Sequence, residues 1–177
     1  PMLRKINLSD NTFGVAVGKQ FASILGSLRH LECLNLSDTY ILDEGAAAVL
    51  QAISECAPPL SELYLGYNEL TPEGIQPGLA ACVDAISSSL EVLSFLGNVS
   101  LSNRGARIVS RALIGKAPNL RKLEMVECEI SGRGALALAK CLGGKVNMRS
   151  AGSLLLDENM ISAARLEELN AYLERVV

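Results

Sequence analysis

A chain of 177 residues with a formal net charge of −3 is long enough for one folded domain, and it carries no basic stripe for a nucleic-acid backbone. Its residues are 49% hydrophobic but only 4% aromatic, which favours thin, repeated packing layers over one large irregular core. No apolar run approaches the roughly 20 residues needed to cross a bilayer, so we expect neither a nucleic-acid partner nor membrane insertion.

Six short segments share one apolar pattern, in which Leu-x-x-Leu-x-Leu is followed by a polar residue or Cys and then by another apolar residue. The segments are Leu3-Ile6-Leu8-Asn11-Phe13, Leu31-Leu34-Leu36-Thr39-Ile41, Leu60-Leu63-Leu65-Asn68-Leu70, Leu90-Leu93-Phe95-Asn98-Leu101, Leu120-Leu123-Met125-Cys128-Ile130 and, more weakly, Ala151-Leu154-Leu156-Asn159-Ile161. Alternation with a period of two predicts a short strand with one buried face. The Asn or Cys lies where the chain leaves the strand, and there it can keep backbone groups from being buried unpaired.

Each predicted strand is followed by a segment that is typical of a helix, rich in Ala and Leu. Four of these segments carry a glycine near their start, and each has a candidate N-cap residue close by. The glycines are Gly45, Gly74, Gly105 and Gly134, and the predicted N-caps are Asp43, Thr71, Ser102 and Ser131. The last predicted helix, at about 163–175, is rich in charged residues, so we expect it to cap the C-terminal end.

Units that each contain a strand and a helix can bury both elements only by stacking. Strands stack about 4.8 Å apart, whereas helix axes need about 8–10 Å, so the stack must bend with its strands on the inside. The sequence therefore predicts an α/β fold: a leucine-rich repeat solenoid, a horseshoe segment with six parallel short strands on the concave face and helices on the convex face. One domain over 1–177 is expected, with repeats starting near 3, 31, 60, 90, 120 and 151.

The N-terminal end of this stack is predicted to be an open apolar edge. It would be formed by Leu3, Ile6, Leu8 and Phe13. Because Pro1 stands only two residues before the first repeat, we interpret the N-terminus as a cut through a longer protein. Upstream repeats that are missing here, or a second copy of the chain, are expected to cover the edge.

Catalytic, metal and cofactor sites are not indicated. Five cysteines without a Cys-x-x-Cys pair, and a single histidine, favour reduced packing thiols and hence a cytosolic or nuclear protein. The segment 14–20 resembles a phosphate-binding loop, but its glycines stand one residue too close together. In addition, Gln20 occupies the position of the Ser or Thr that would hold magnesium. We therefore expect no cofactor, no metal site and no catalytic residue in this chain.

The charged loops suggest a protein-binding surface. The strand-to-helix loops carry a set of carboxylates that we call the acidic rim: Asp10, Asp38, Asp43, Glu44, Glu69, Glu73, Glu127, Glu129, Asp157 and Glu158. The opposite loops carry basic residues such as Arg29, Lys116 and Arg121. The acidic rim could steer a basic partner surface, or it could simply be solvated. The residues predicted to contact a partner are Asp10, Asp38, Asp43, Glu44, Glu69, Tyr64, Glu127 and Glu129.

The segment 3–13, Leu-Arg-Lys-Ile-Asn-Leu-Ser-Asp-Asn-Thr-Phe, resembles Ran GTPase-activating proteins, and Asp-Asn-Thr-Phe is its most specific part. The segments 63–70 and 154–162 are similar to later strands of that family. The likeness covers essentially the whole chain but only the C-terminal half of the family's repeat domain, whose repeats are ribonuclease-inhibitor-like. It implies a regulator rather than an enzyme, because the GTPase Ran hydrolyses GTP and its own glutamine orients the water.

The resemblance places the family's catalytic Asn and Arg in repeats before this segment, so no catalytic residue is carried over. It also implies nucleocytoplasmic transport, and a location in the cytoplasm or at the nuclear envelope. We therefore expect the C-terminal repeat segment of a Ran GTPase activator, acting as a protein-binding scaffold. The alternative is an interaction module of the immune-receptor or inhibitor kind without any GTPase-activating role.

Overall fold

The computed structural model describes residues 2–145 and 154–176. It contains one open sheet of six parallel strands that lie side by side in chain order. The strands are β1 Lys5–Asn7, β2 Cys33–Asn35, β3 Glu62–Tyr64, β4 Val92–Ser94, β5 Lys122–Glu124 and β6 Leu154–Leu155. The predicted leucine-rich repeat solenoid with six parallel strands is confirmed. Ala151, the predicted start of the sixth repeat, lies outside the described residues.

Helices return the chain from the end of one strand to the start of the next. They are α1 Gly14–Leu25, α2 Leu42–Cys56, α3 Pro72–Ile75, α4 Leu79–Ala85, α5 Ser102–Leu113, α6 Gly132–Lys145 and α7 Ala163–Val176. The third repeat has two short helices because Pro77 and Gly78 separate them, and proline is a poor residue for a helix interior. A 3-10 turn, Val99–Leu101, precedes α5. The capping role of α7 remains a prediction.

The central residues of neighbouring strands are in register and form the core of the stack. They are Ile6, Leu34, Leu63, Leu93, Leu123 and Leu154. The four inner members are at most 1% exposed, and burying each such side chain contributes about 1.5–3 kcal/mol. At the N-terminal edge, in contrast, Leu3 is 46% exposed although its equivalent Leu31 is fully buried. The first repeat therefore presents apolar surface that the inner repeats cover.

Asparagine amides connect successive repeats where the strands end. The Asn68 Oδ1 accepts hydrogen bonds from the N–H groups of Thr39 at 3.1 Å and Ile41 at 3.3 Å, in the preceding repeat. Asn98 and Asn159 bind the equivalent N–H groups of the third and fifth repeats in the same way. The predicted role of these side chains, to pair backbone groups that would otherwise be buried without partners, is confirmed at these three positions.

Cys128 occupies the position in its repeat that Asn68, Asn98 and Asn159 occupy in theirs, but it has no amide that could pair backbone groups in this way. The fourth repeat has one extra residue between Asn98 and Leu101, and the 3-10 turn that accommodates it pairs its own N–H groups. The Asn98 N–H donates to the Phe95 carbonyl at 3.3 Å, and the Leu101 N–H donates to the Asn98 carbonyl at 3.0 Å. These two N–H groups therefore need no side-chain acceptor from the fifth repeat, and the Cys128 thiol instead donates to the Phe95 carbonyl at 3.3 Å.

Two of the four predicted N-caps are correct. Thr71 and Ser131 each accept a hydrogen bond from the N–H two residues later, at 3.2 and 3.4 Å. The predictions for Asp43 and Ser102 are wrong, because the N-cap positions are Ile41 and Leu101 and no side chain caps either helix. Local sequence did not indicate that Asp43 bonds instead to the next repeat.

Asp43 stabilises the helix start of the following repeat. Its carboxylate accepts hydrogen bonds from the Thr71 N–H at 2.8 Å and from the Thr71 hydroxyl at 2.5 Å. Asn103 does the same two repeats later, where its Oδ1 accepts from the Ser131 N–H at 3.0 Å. A Cβ at Gly74 would lie 2.1 Å from the Asp43 Oδ1, so the glycine at this position makes room for the cap.

Candidate functional site

The turn that follows each strand has a residue with a positive φ at one position that is equivalent in all six repeats. We call this set the turn column: Asp10 (59°), Asp38 (52°), Tyr67 (48°), Gly97 (73°), Glu127 (53°) and Glu158 (54°). Residues other than glycine rarely adopt this backbone conformation, although Asp tolerates it better than most residues. Since the strands are in register, the turn column forms a line along the edge of the sheet at which the strands end.

Five of the predicted partner-binding residues lie along this edge. Asp10, Asp38 and Glu127 belong to the turn column, while Glu69 and Glu129 follow two residues later in their own turns, with φ values of 54° and 52°. Asp10, Glu69 and Glu129 are exposed, and the other two are half-buried. The structure therefore brings these five carboxylates to one edge of the sheet.

Two other predicted partner-binding residues lie on α2 and already have partners within the chain. Both carboxylate oxygens of Asp43 accept hydrogen bonds from Thr71. Glu44 is exposed and pairs with the Lys19 ammonium at 2.5 Å, and this hydrogen bond holds the pKa of Glu44 below its usual value. These two carboxylates thus lie on a helix and bond to Thr71 and Lys19, unlike the five on the turns.

Tyr64, the remaining predicted contact, lies on the exposed face of the sheet. Its hydroxyl donates to the Glu62 Oε2 at 2.9 Å, and the Cys33 thiol donates to the same oxygen at 3.5 Å. Burial, the hydrogen bond to Glu62 and the negative charges of Glu62 and Glu124 all raise the pKa of Tyr64. Across the sheet, Lys122 pairs with Glu124 at 2.5 Å. This face thus carries a hydrogen-bonded polar cluster rather than isolated side chains.

Sequence reasoning missed Tyr67 as a member of the site. Its hydroxyl donates to the Glu127 Oε2 at 3.1 Å, and its ring lies against Gly97 in the intervening repeat. The hydrogen bond to Glu127, partial burial and the charges of Glu127, Glu158 and Asp38 raise the pKa of Tyr67. Its equivalence to Asp10 and Asp38 in the repeat pattern was the available signal.

The opposite edge is less basic than its sequence suggested. The Arg121 guanidinium forms an ion pair with Glu91, and the Lys116 ammonium forms one with Asp84 at 2.6 Å. Each pair links neighbouring repeats, and each neutralises a charge that the sequence pattern assigned to a basic surface. Ion pairs also neutralise two carboxylates of the acidic rim, Glu44 with Lys19 and Glu73 with Arg104, so the contrast between the two edges is weaker than the sequence suggested.

Metal ligation, membrane insertion and reactive thiols are three further possibilities for residues 2–145 and 154–176. In those ranges no three His, Cys, Asp or Glu residues lie close enough to hold a metal ion, and no helix is long and apolar enough to span a bilayer. All five cysteines are free thiols, and burial raises the pKa of Cys82 and of Cys128 to about 12. At neutral pH these two thiols are protonated packing groups.

Comparison with known proteins shows the same repeat. The family described as "Leucine Rich repeat" matches residues 27–50, 57–77 and 116–139. Pig (Sus scrofa) ribonuclease inhibitor is 30% identical over 159 residues, which cover 88% of this chain and 34% of that protein. RAN GTPase-activating protein 2 of Arabidopsis thaliana is 32% identical over 127 residues, covering 72% of this chain and 22% of that protein.

Among solved structures, the yeast Rad7 and Elc1 complex is similar, with a TM-score of 0.47 and 16% sequence identity. The match covers 97% of this chain and 61% of that chain. The chain spans about a third or less of the length of pig ribonuclease inhibitor and of the Arabidopsis thaliana GTPase-activating protein.

Proposed function

We propose that this chain is a segment of a GTPase activator and that its partner is the small GTPase Ran. The chain itself is a leucine-rich-repeat scaffold for protein interactions. Two observations support this proposal. The Asp-Asn-Thr-Phe run at 10–13 resembles the activator family, and RAN GTPase-activating protein 2 is 32% identical over 127 residues. In this role the chain is a regulator: it supports a reaction whose chemistry occurs on the partner.

The turn column is the structural observation that carries the proposal. It places Asp10, Asp38 and Glu127 in one line, with Glu69 and Glu129 beside them. A line of carboxylates held by a rigid sheet attracts a basic protein surface and increases the rate of association more than the final affinity. We propose partner contacts for these five residues, of which Asp10, Glu69 and Glu129 are exposed.

Tyr64 is proposed as a further contact on the face of the sheet, since tyrosine is enriched among the residues that dominate binding energy. We assign no partner contact to Asp43 or Glu44, because they lie on α2 rather than on the turns and bond to Thr71 and Lys19. A location in the cytoplasm, with the nuclear envelope as a second site, belongs to the Ran proposal and depends on it.

A second candidate is an interaction module that has no effect on a GTPase. The similarity to pig ribonuclease inhibitor favours it, because that match covers 88% of this chain, compared with 72% for the GTPase-activating protein. Both candidates use the same scaffold and differ in the consequence of binding. Binding alone cannot separate them, so the test must include GTP hydrolysis.

The decisive experiment measures single-turnover GTP hydrolysis by Ran with this chain and with a version extended upstream. We expect little acceleration by the 177-residue chain itself, and acceleration of a thousandfold or more by the extended protein. Binding of Ran without acceleration by the extended protein would favour the pure interaction module. Absence of binding would rule out Ran as the partner.

The role of the acidic rim is tested with the double substitution Asp38→Asn and Glu69→Gln. At about 10 Å in water, one charge pair is worth about 0.4 kcal/mol, so each lost carboxylate should slow association about twofold at low salt. The matched control, Glu55→Gln with Glu167→Gln, removes two exposed carboxylates from helices α2 and α7. Equal effects of the two double variants on the association rate would refute a specific role for the rim.

A further inference from the structure

We infer that Tyr67 is a positioning residue of the acidic rim: it ties the third repeat to the fifth and fixes the Glu127 carboxylate at the edge of the sheet. The Tyr67 hydroxyl donates to the Glu127 Oε2 at 3.1 Å, across 60 positions of sequence. Within residues 2–145 and 154–176, the other side-chain hydrogen bonds and ion pairs connect groups in the same repeat or in adjacent repeats. This tie is therefore exceptional in the described part of the stack.

The Tyr67 side chain reaches Glu127 by crossing the turn of the fourth repeat. Gly97 holds its position in the turn column with a φ of 73°, and a Cβ there would lie 2.2 Å from the Tyr67 Cδ1 and Cε1 atoms. Any side chain at this position would displace the ring. The tyrosine can span two strand spacings, about 10 Å in all, because the residue between its ends has no side chain.

The consequence concerns the rigidity of the rim. In a repeat stack each unit normally contacts only its neighbours, so small displacements between neighbours accumulate along the structure. A hydrogen bond between repeats three and five restricts this accumulation where the proposed contacts lie. It also restricts the rotation of Glu127, whose side chain would otherwise be free at a half-buried position.

The charges around the phenol define how the tie responds to pH. The carboxylates of Glu127, Glu158 and Asp38 all oppose ionisation of Tyr67, and the hydrogen bond to Glu127 is the largest contribution to its raised pKa. Since the pKa is higher in the folded protein than in the unfolded chain, the tie contributes its full stabilisation below the ordinary pKa of tyrosine, about 10. That contribution is lost as the pH rises through the raised value, because a phenolate cannot donate and is repelled by Glu127.

The test uses Tyr67→Phe, which keeps the ring and removes the hydroxyl. Tyr40→Phe is the matched control, because Tyr40 is 46% exposed, compared with 45% for Tyr67, and it also has a positive φ. Amide hydrogen exchange is measured at Gly97 and Glu127. A hydrogen bond worth about 0.5–1.5 kcal/mol predicts that exchange becomes about twofold to thirteenfold faster in Tyr67→Phe and stays unchanged in Tyr40→Phe. Equal exchange rates in the two variants would overturn the proposal.

A second measurement separates the tie from simple packing of the ring. Titration of tyrosine ring signals by NMR should show that Glu127→Gln lowers the pKa of Tyr67 toward its ordinary value. The control Glu62→Gln should instead lower the pKa of Tyr64, whose hydroxyl donates to Glu62. An unchanged Tyr67 titration in Glu127→Gln would overturn the proposal even if exchange had changed.

The biological consequence of the tie rests on the proposed function, and its failure can be recognised separately. If Ran binds, Tyr67→Phe should slow its association although the net charge is unchanged, while Tyr40→Phe should not. If Ran does not bind, the exchange and titration results still decide whether the tie exists. If the tie exists and Ran binds to both variants at the same rate, Tyr67 has no positioning role.

Discussion

The substitution Asn68→Ala should destabilise the protein strongly, and the structure allows the size of the effect to be worked out. Loss of the amide leaves the N–H groups of Thr39 and Ile41 buried without partners, because Asn68 is their acceptor. The two carbonyls that the amide also binds keep other donors: the Thr39 hydroxyl for Leu36 and the Asp38 N–H for Gly66. Two orphaned donors at about 1–3 kcal/mol each, with some relief from water, predict a loss of about 2–5 kcal/mol.

Urea unfolding followed by circular dichroism measures this loss, provided that the slope of the transition is unchanged. Cys128→Ala is the matched control, because Cys128 occupies the same position of the repeat and is equally buried. The fourth repeat pairs its own N–H groups, so this substitution should cost only about 1 kcal/mol. The reasoning is refuted if the two variants differ by less than about 1 kcal/mol.

Two further predictions follow from the structure. Asp43→Ala should lower stability by about 1–2 kcal/mol in thermal unfolding, because the Thr71 N–H and hydroxyl lose their acceptor. Asp43→Asn should preserve stability, since Asn103 makes the equivalent bond to Ser131. A stable Asp43→Ala variant would contradict this. At pH 8 a thiol reagent should label the half-buried Cys56 in the native protein, but Cys82 and Cys128 only after unfolding, because burial raises their pKa to about 12. Rapid native labelling of Cys82 would count against this core assignment.

The sheet was predictable because its determinants are local and repeated. Leucines two positions apart specify a strand with one buried face, and six copies at similar spacing require stacking. The N-cap at Thr71 was also predictable, because the side chain and its partner lie two residues apart. The error at Asp43 has a clear cause: its partner, Thr71, is distant in sequence, and local capping rules do not describe contacts between repeats.

The candidate site was predictable in composition but not in geometry. The acidic character of the turns is visible in the sequence, whereas their shared positive φ follows from the backbone path of the repeat. Tyr67 could not be assigned from spacing alone, because its contact skips one repeat and requires a glycine at position 97. The ion pairs of Arg121 and Lys116 were likewise hidden, since each depends on the register of two neighbouring repeats.

The extra residue of the fourth repeat links loop length to side-chain choice in the next repeat. Where the loop is longer, as between Asn98 and Leu101, the backbone pairs itself, and position 128 is free of the amide requirement that applies at Asn68. If that loop were shortened, backbone N–H groups of the fourth repeat would need a side-chain acceptor at position 128. If the loop of the second repeat were lengthened, its N–H groups would no longer need the acceptor at position 68. Anyone who redesigns a unit of this protein must therefore choose the loop and the residue one repeat downstream as a single decision.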